Sequence, residues 1–105
     1  METQKRMLEG RIIDTIKTVY DPEIPVNIYD LGLIYELNIE DDFTVKIRMT
    51  LTSPNCPMAE DLVREVQEKV KITSGVKDLD FNLTFDPPWD SEMISDEAKL
   101  ELGLL

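Results

Sequence analysis

The sequence predicts a two-layer α/β (α+β) domain. Its order is α-β-β-α-β, with a three-stranded mixed sheet covered on one face by two helices and a short helix at the C-terminal end. Three observations predict this. Two segments repeat apolar residues at steps of three and four, three segments alternate apolar with polar residues, and turn-forming residues separate them. The chain has 105 residues, and 1–105 reads as one domain. A chain of this length buries roughly two-thirds of the surface its unfolded form exposes, so one core suffices.

Residues 4 to 20 carry Leu8, Ile12, Ile13, Ile16, Val19 and Tyr20 on one helical face. Asp21-Pro22 is expected to stop this helix, because the residue before proline is pushed out of the helical region. Residues 21 to 32, DPEIPVNIYDLG, lack periodicity and hold two prolines, Asn27, Asp30 and Gly32. They predict a structured loop, packed through Ile24, Val26, Ile28 and Leu31.

Residues 33 to 40 place Leu33, Tyr35, Leu37 and Ile39 on one face, and residues 43 to 52 do the same with Phe43, Val45, Ile47, Met49 and Leu51. Both predict strands. Asp41-Asp42 between them predicts a two-residue hairpin turn, hence antiparallel neighbours. Lys46, Arg48 and Thr50 are then expected on the wetter face.

Residues 57 to 72 form a second helical stripe through Ala59, Leu62, Val63, Val66 and Val70. Pro57 suits the first helical position, Glu60 and Asp61 suit the positive end of the helix dipole, and Ser74-Gly75 ends the helix. Residues 76 to 86 alternate at Leu79, Phe81, Leu83 and Phe85, and Pro87-Pro88 closes this third strand. The strand–helix–strand order makes it parallel to the second strand. Ser95 is the expected N-cap of the last short helix.

The 22 acidic and 11 basic residues leave a net charge of −11. That field opposes nucleic acid and anionic membranes and favours basic protein partners or cationic metals. No apolar run reaches the roughly 18 residues of a membrane span. The single cysteine excludes an internal disulfide and, with no secretory h-region at the start, points to the cytoplasm. There is no glycine-rich phosphate loop and no paired Cys or His spacing for structural zinc.

Cys56 is expected as the N-cap of the second long helix. There the unpaired backbone N–H groups and the positive dipole end favour a thiolate, the form that binds metals and attacks electrophiles. The alternative is a small packing residue that caps a helix. Histidine is absent, so no Cys–His pair exists. Thr50, Thr52 and Ser53 are the hydroxyls nearest in sequence, and Asp21 and Glu23 are expected at the same end of the sheet. Carboxylates beside a thiolate raise its pKa, a penalty that a cation between them reverses. One thiol does not hold a cluster alone, since clusters usually take four thiolates.

The stretches DPEIPVNIYDLGLIY, TLTSPNCP and PPWDSEMISDEAKLELGL closely resemble the PaaD/SufT-like family of iron–sulfur assembly factors, over the chain from about Lys5 to Gly103. The resemblance implies an iron–sulfur cluster assembly domain-like fold and a role in the maturation of iron–sulfur proteins rather than in metabolite turnover. It also implies that the reactive cysteine of the family corresponds to Cys56 and its acidic pair to Asp21 and Glu23. The preceding hydroxyls correspond to Thr50 and Thr52, the pocket-framing loop residues to Asn27 and Asp30, and the aromatic after the double proline to Trp89. The resemblance implies one branch that serves general cluster assembly and another that serves a ring-hydroxylating phenylacetyl-CoA oxygenase; the absence of a cysteine-rich C-terminal tail favours the stand-alone assembly branch.

The expected function is therefore an accessory, non-catalytic factor in cluster assembly or delivery, acting through Cys56 as a transient ligand of iron or an iron–sulfur cluster, with nothing bound stably. Its partners are iron–sulfur assembly proteins and client apoproteins. An exposed hairpin edge and a single thiol make a homodimer a reasonable assembly. The alternatives are a protein-interaction adaptor with a structural cysteine and a small thiol-dependent enzyme, the latter lacking any visible base.

Overall fold

The computed structural model describes residues 2–52 and 59–104. Its elements are α1 (Glu2–Ile16), β1 (Ile34–Ile39), β2 (Thr44–Met49), α2 (Ala59–Lys71), β3 (Asp78–Leu83), a 3₁₀ turn (Ser91–Met93) and α3 (Asp96–Glu101). The sheet order is β1-β2-β3, with β1 and β2 antiparallel and β2 and β3 parallel. This is the mixed three-stranded sheet that the sequence predicts.

The core forms where the helical stripes meet the inner face of the sheet. Leu8, Ile12 and Ile16 of α1 and Leu62, Val66 and Val70 of α2 are buried with Val45, Ile47 and Met49 of the central strand. Burying each such side chain contributes about 1.5–3 kcal/mol. Lys46 and Arg48 point to solvent on the opposite face. Among the described residues no helix is long and apolar enough to cross a membrane.

Four expectations need correction. The first helix ends at Ile16 rather than at the Asp21-Pro22 step. Its last turn tightens, with Thr18 N bonded to Thr15 O and Val19 N to Ile16 O. The chain then turns extended, because Val19 O accepts from Ile28 N at 2.9 Å and Tyr20 bridges Asn27. Val19 still reaches the core, but Tyr20, expected on the apolar stripe, is 59% exposed.

The second correction is a register shift between Ile34 and Glu36. Ile34 pairs with Met49 and Leu37 with Ile47, so Tyr35 drops out of the expected Leu33–Tyr35–Leu37–Ile39 face. A one-residue bulge turns a side chain away from the direction that strict alternation gives it.

Third, the hairpin is one residue longer than the expected Asp41-Asp42 turn. Phe43 N donates to Glu40 O, Glu40 N donates to Thr44 O at 2.9 Å, and Phe43 takes φ 68°. This is a type I turn closed by a left-handed residue, a position that glycine usually fills. Phe43 holds it because its ring packs against the core and its carbonyl accepts from Lys77 N.

Fourth, Thr50 does not join Lys46 and Arg48 on the wet face: it is 0% exposed. β2 ends at Met49, and Thr50 N then donates to Leu33 O of the loop before β1.

Other local signals hold. Gly75, at φ +100°, ends the second helical segment, where an added Cβ would lie 2.9 Å from Arg11 Nη2. Ser95 caps α3, its hydroxyl accepting from Ala98 N at 3.2 Å. The 3₁₀ turn is capped likewise by Asp90, whose Oδ1 accepts from Glu92 N at 2.8 Å.

The left-handed backbone at Phe43 reverses an ordinary preference. Phe43→Gly and Phe43→Ala both lose the ring, but the glycine variant is expected to be the more stable by about 1 kcal/mol. Urea unfolding of the pair measures this difference.

Candidate functional site

β1 begins where β2 and β3 end, so one end of the sheet gathers the loop 21–33, the exit of β2 and the segment after β3. Ile34, Met49 and Leu83 lie side by side there. Chain connections at strand ends are where side chains can be aimed at a ligand without disturbing the core.

The loop is built by its own polar side chains. Asp21 is buried, and its Oδ1 accepts from Glu23 N at 2.8 Å and Ile24 N at 3.0 Å. This is an Asx-type turn: the carboxylate replaces a backbone acceptor and holds the Asp-Pro-Glu stretch in place. Asn27 and Asp30 close the next turn reciprocally. Asn27 Nδ2 donates to Asp30 Oδ2 at 2.9 Å, and Asp30 N donates to Asn27 Oδ1 at 2.9 Å. Glu23 is exposed on the rim.

Three donors from distant parts of the chain lock onto the carbonyls of this loop. Ser95 N donates to Asp30 O at 2.7 Å and Thr50 N to Leu33 O at 2.8 Å. Trp89 Nε1 donates to Leu31 O at 2.7 Å. Gly32 lies between these carbonyls at φ +80°, and a Cβ there would sit 2.4 Å from Met93 O. Only glycine permits both that conformation and that approach.

Trp89 thus serves as a clamp on the loop, with its ring packed against the core. Thr52 is half-buried two residues beyond Thr50. The structure therefore ties Asp21, Asn27, Asp30, Thr50 and Trp89 into one unit through loop 21–33. Cys56, the proposed thiolate and metal ligand, lies outside the described residues. Among those residues no group of three or more His, Cys, Asp or Glu side chains is placed to hold a metal ion.

One residue that the sequence reading did not place in the site belongs to this end of the sheet. The Tyr35 hydroxyl, turned out by the bulge, donates to Pro87 O at 2.7 Å and lies 3.5 Å from Met93 Sδ. Burial pushes its pKa above the ordinary tyrosine value; the neighbouring Thr50 hydroxyl opposes this and the Asp90 carboxylate adds to it. Two adjacent apolar residues, Leu33-Ile34, interrupt the alternation just before Tyr35 and were the available signal for the bulge.

Thr50 is the chemically odd member. Its Oγ1 is buried and makes no full hydrogen bond among the described residues; what it has there is a weaker polar contact with the Tyr35 phenol, the one that opposes the rise of that phenol's pKa. An unpaired buried hydroxyl is destabilising by about 1–3 kcal/mol.

A phenol with a raised pKa stabilises the fold below the unfolded-state value near 10 and loses that contribution as pH rises through its folded value. Alkaline titration at the tyrosinate absorbance is expected to show a phenol ionising above the ordinary range, and Tyr35→Phe is expected to remove it. Gly32→Ala is expected to lower stability by about 1–3 kcal/mol and to release the C-terminal segment from the loop. Trp89, the only tryptophan, reports that release as a change in fluorescence.

Residues 9–85 match the model of a protein family described as "Iron-sulfur cluster assembly protein". The chain is 49% identical over 105 residues, the whole of both chains, to an Fe-S protein maturation auxiliary factor of Porphyromonas gingivalis. It is 37% identical over 97 residues to the Fe-S protein maturation auxiliary factor YitW of Bacillus subtilis, covering 92% of this chain and 95% of that one. Its fold matches the crystal structure of a domain of unknown function from Bacillus anthracis with a TM-score of 0.86 at 31% identity, covering all of both chains.

Proposed function

Since this chain belongs to the iron–sulfur cluster assembly protein family, we propose that it acts as an accessory factor in iron–sulfur protein maturation and that Cys56 is its working thiol. Relatives that match it over nearly their whole length carry that role in their names. The observation that carries the site reading is the Thr50 hydroxyl: buried, without a full hydrogen bond among the described residues, and six positions before Cys56. A buried hydroxyl that makes no full hydrogen bond among the described residues calls for an explanation, and a ligand at this end of the sheet is the one this reading supplies.

The roles divide by chemistry. The Cys56 thiolate supplies the soft donor that iron prefers. Asp21 organises: its Oδ1 is taken up by two backbone N–H groups. Glu23, exposed beside it, brings negative charge to the rim. Asn27, Asp30 and Trp89 hold the loop, and Thr50 and Thr52 offer hydroxyls at its inner wall. Iron or a cluster is cargo here. With one thiol in the chain, most of its ligands come from the donor scaffold or the client apoprotein, which suits transfer rather than storage. A non-catalytic part fits the absence of histidine from the sequence. A free thiol of this kind is kept reduced in the cytoplasm.

The test uses cells that lack the factor and a cluster-dependent dehydratase as readout. Cys56→Ser is expected to restore none of the activity while melting as the wild type does. Thr50→Val, which removes the hydroxyl at constant shape, is expected to be neutral or up to about 1 kcal/mol more stable and yet to restore less activity. Full activity from Cys56→Ser would leave a packing cysteine on an adaptor as the better reading.

A further inference from the structure

The sheet has an outer edge that nothing in the described chain covers. β3 pairs with β2 alone. Thr84 N donates inward to Met49 O, whereas Leu79 N is met by the carboxylate of its own neighbour Asp78 at 2.8 Å. Leu79 therefore turns its amide away from β2, and strand alternation turns those of Phe81 and Leu83 the same way. Beyond the part of β3 that the core covers, Leu83, on the face that Leu79 and Phe81 bury, is 43% exposed, and Phe85 just past the strand is 42% exposed.

The opposite face of the same edge is acidic. The cross-strand rows run Asn38–Lys46–Asp80 and Glu36–Arg48–Asn82, and Asp78 sits beside Thr44. Along the first row a cation on β2 is followed by an anion on β3. Residues directly opposite each other in adjoining strands are favourable when their charges are opposed, so a fourth strand is accommodated best with a cation beside Asp80. A second copy of β3 (DLDFNL) contains no cation, and each copy carries a net charge of −11, which disfavours self-pairing.

We propose that the β3 edge is a docking site for an extended segment of a partner protein, one that alternates apolar with basic residues and adds to the sheet as a fourth strand. Main-chain bonds to the Phe81 and Leu83 amides supply affinity, and the alternation supplies specificity. Apolar side chains of the segment cover Leu83 and Phe85, and its Lys or Arg residues face Asp78 and Asp80. That this partner is an assembly protein or a client rests on the function proposed above; the strand addition itself does not.

The probe is an eight-residue capped peptide alternating valine and lysine, compared with one alternating valine and glutamate, each added to the full chain. Amide hydrogen exchange read by NMR is expected to slow about tenfold at Phe81 and Leu83 with the lysine peptide and not with the glutamate peptide. Asp80→Lys is expected to reverse that preference, with a modest fall in melting temperature because the new lysine stands opposite Lys46. Cys56→Ser is expected to bind the lysine peptide as the wild type does, which separates failure of this surface from failure of the thiol. The proposal is overturned if neither peptide protects these amides or if both do so equally. Protection that rises with protein concentration in the absence of peptide would assign the edge to a second copy and would overturn it as well.

Discussion

The carbonyls of Asp30, Leu31 and Leu33 hold this end of the molecule together. They accept from Ser95 N, Trp89 Nε1 and Thr50 N at 2.7, 2.7 and 2.8 Å. Each donor belongs to a different part of the chain: the cap of α3, the aromatic after the double proline, and the exit of β2. A loop with no regular structure of its own must still satisfy its buried polar groups. Here it does so by recruiting donors from segments that would otherwise be free to separate. The loop's hydrogen bonding is thus completed by tertiary contacts.

That arrangement divides the polar residues into two kinds. Asp21, Asn27, Asp30 and Trp89 spend their hydrogen-bonding capacity on backbone or on each other. Their chemistry is architectural, and it sets where the strand ends lie. Thr50 keeps a hydroxyl without a full hydrogen bond among the described residues, beside the Tyr35 phenol, which itself reaches Pro87 and Met93. Under the proposed function this separation would suit the passing of cargo, since none of the frame's bonds would need to break as cargo arrived or left.

The outer edge of β3 lies on the same unit but at a different surface. Its half-exposed Leu83 and Phe85 sit at the strand end nearest loop 21–33, since Leu83 stands in register with Met49 and Ile34. A partner strand added there would run to the end of the sheet at which the loop gathers its side chains. Docking and cargo handling would then share one frame without sharing residues.

The amino-acid pattern by itself determined the element order, the antiparallel and parallel pairings and the Ser95 cap. It also marked the residues of loop 21–33 as a structured turn. These depend on neighbours a few positions away: spacing on a helix face, alternation on a strand, a side chain bonding to its own backbone. Tertiary structure alone decided where α1 ends, because Val19 is drawn out of the helix by Ile28 and Tyr20 by Asn27. It decided the bulge that turns Tyr35 toward Pro87, 52 positions away. It buried Thr50, which alternation puts in water, and it made Trp89 a clamp on Leu31 across 58 positions. No local rule carries such information, since a bond between residues that far apart exists only once the whole chain has closed around its core.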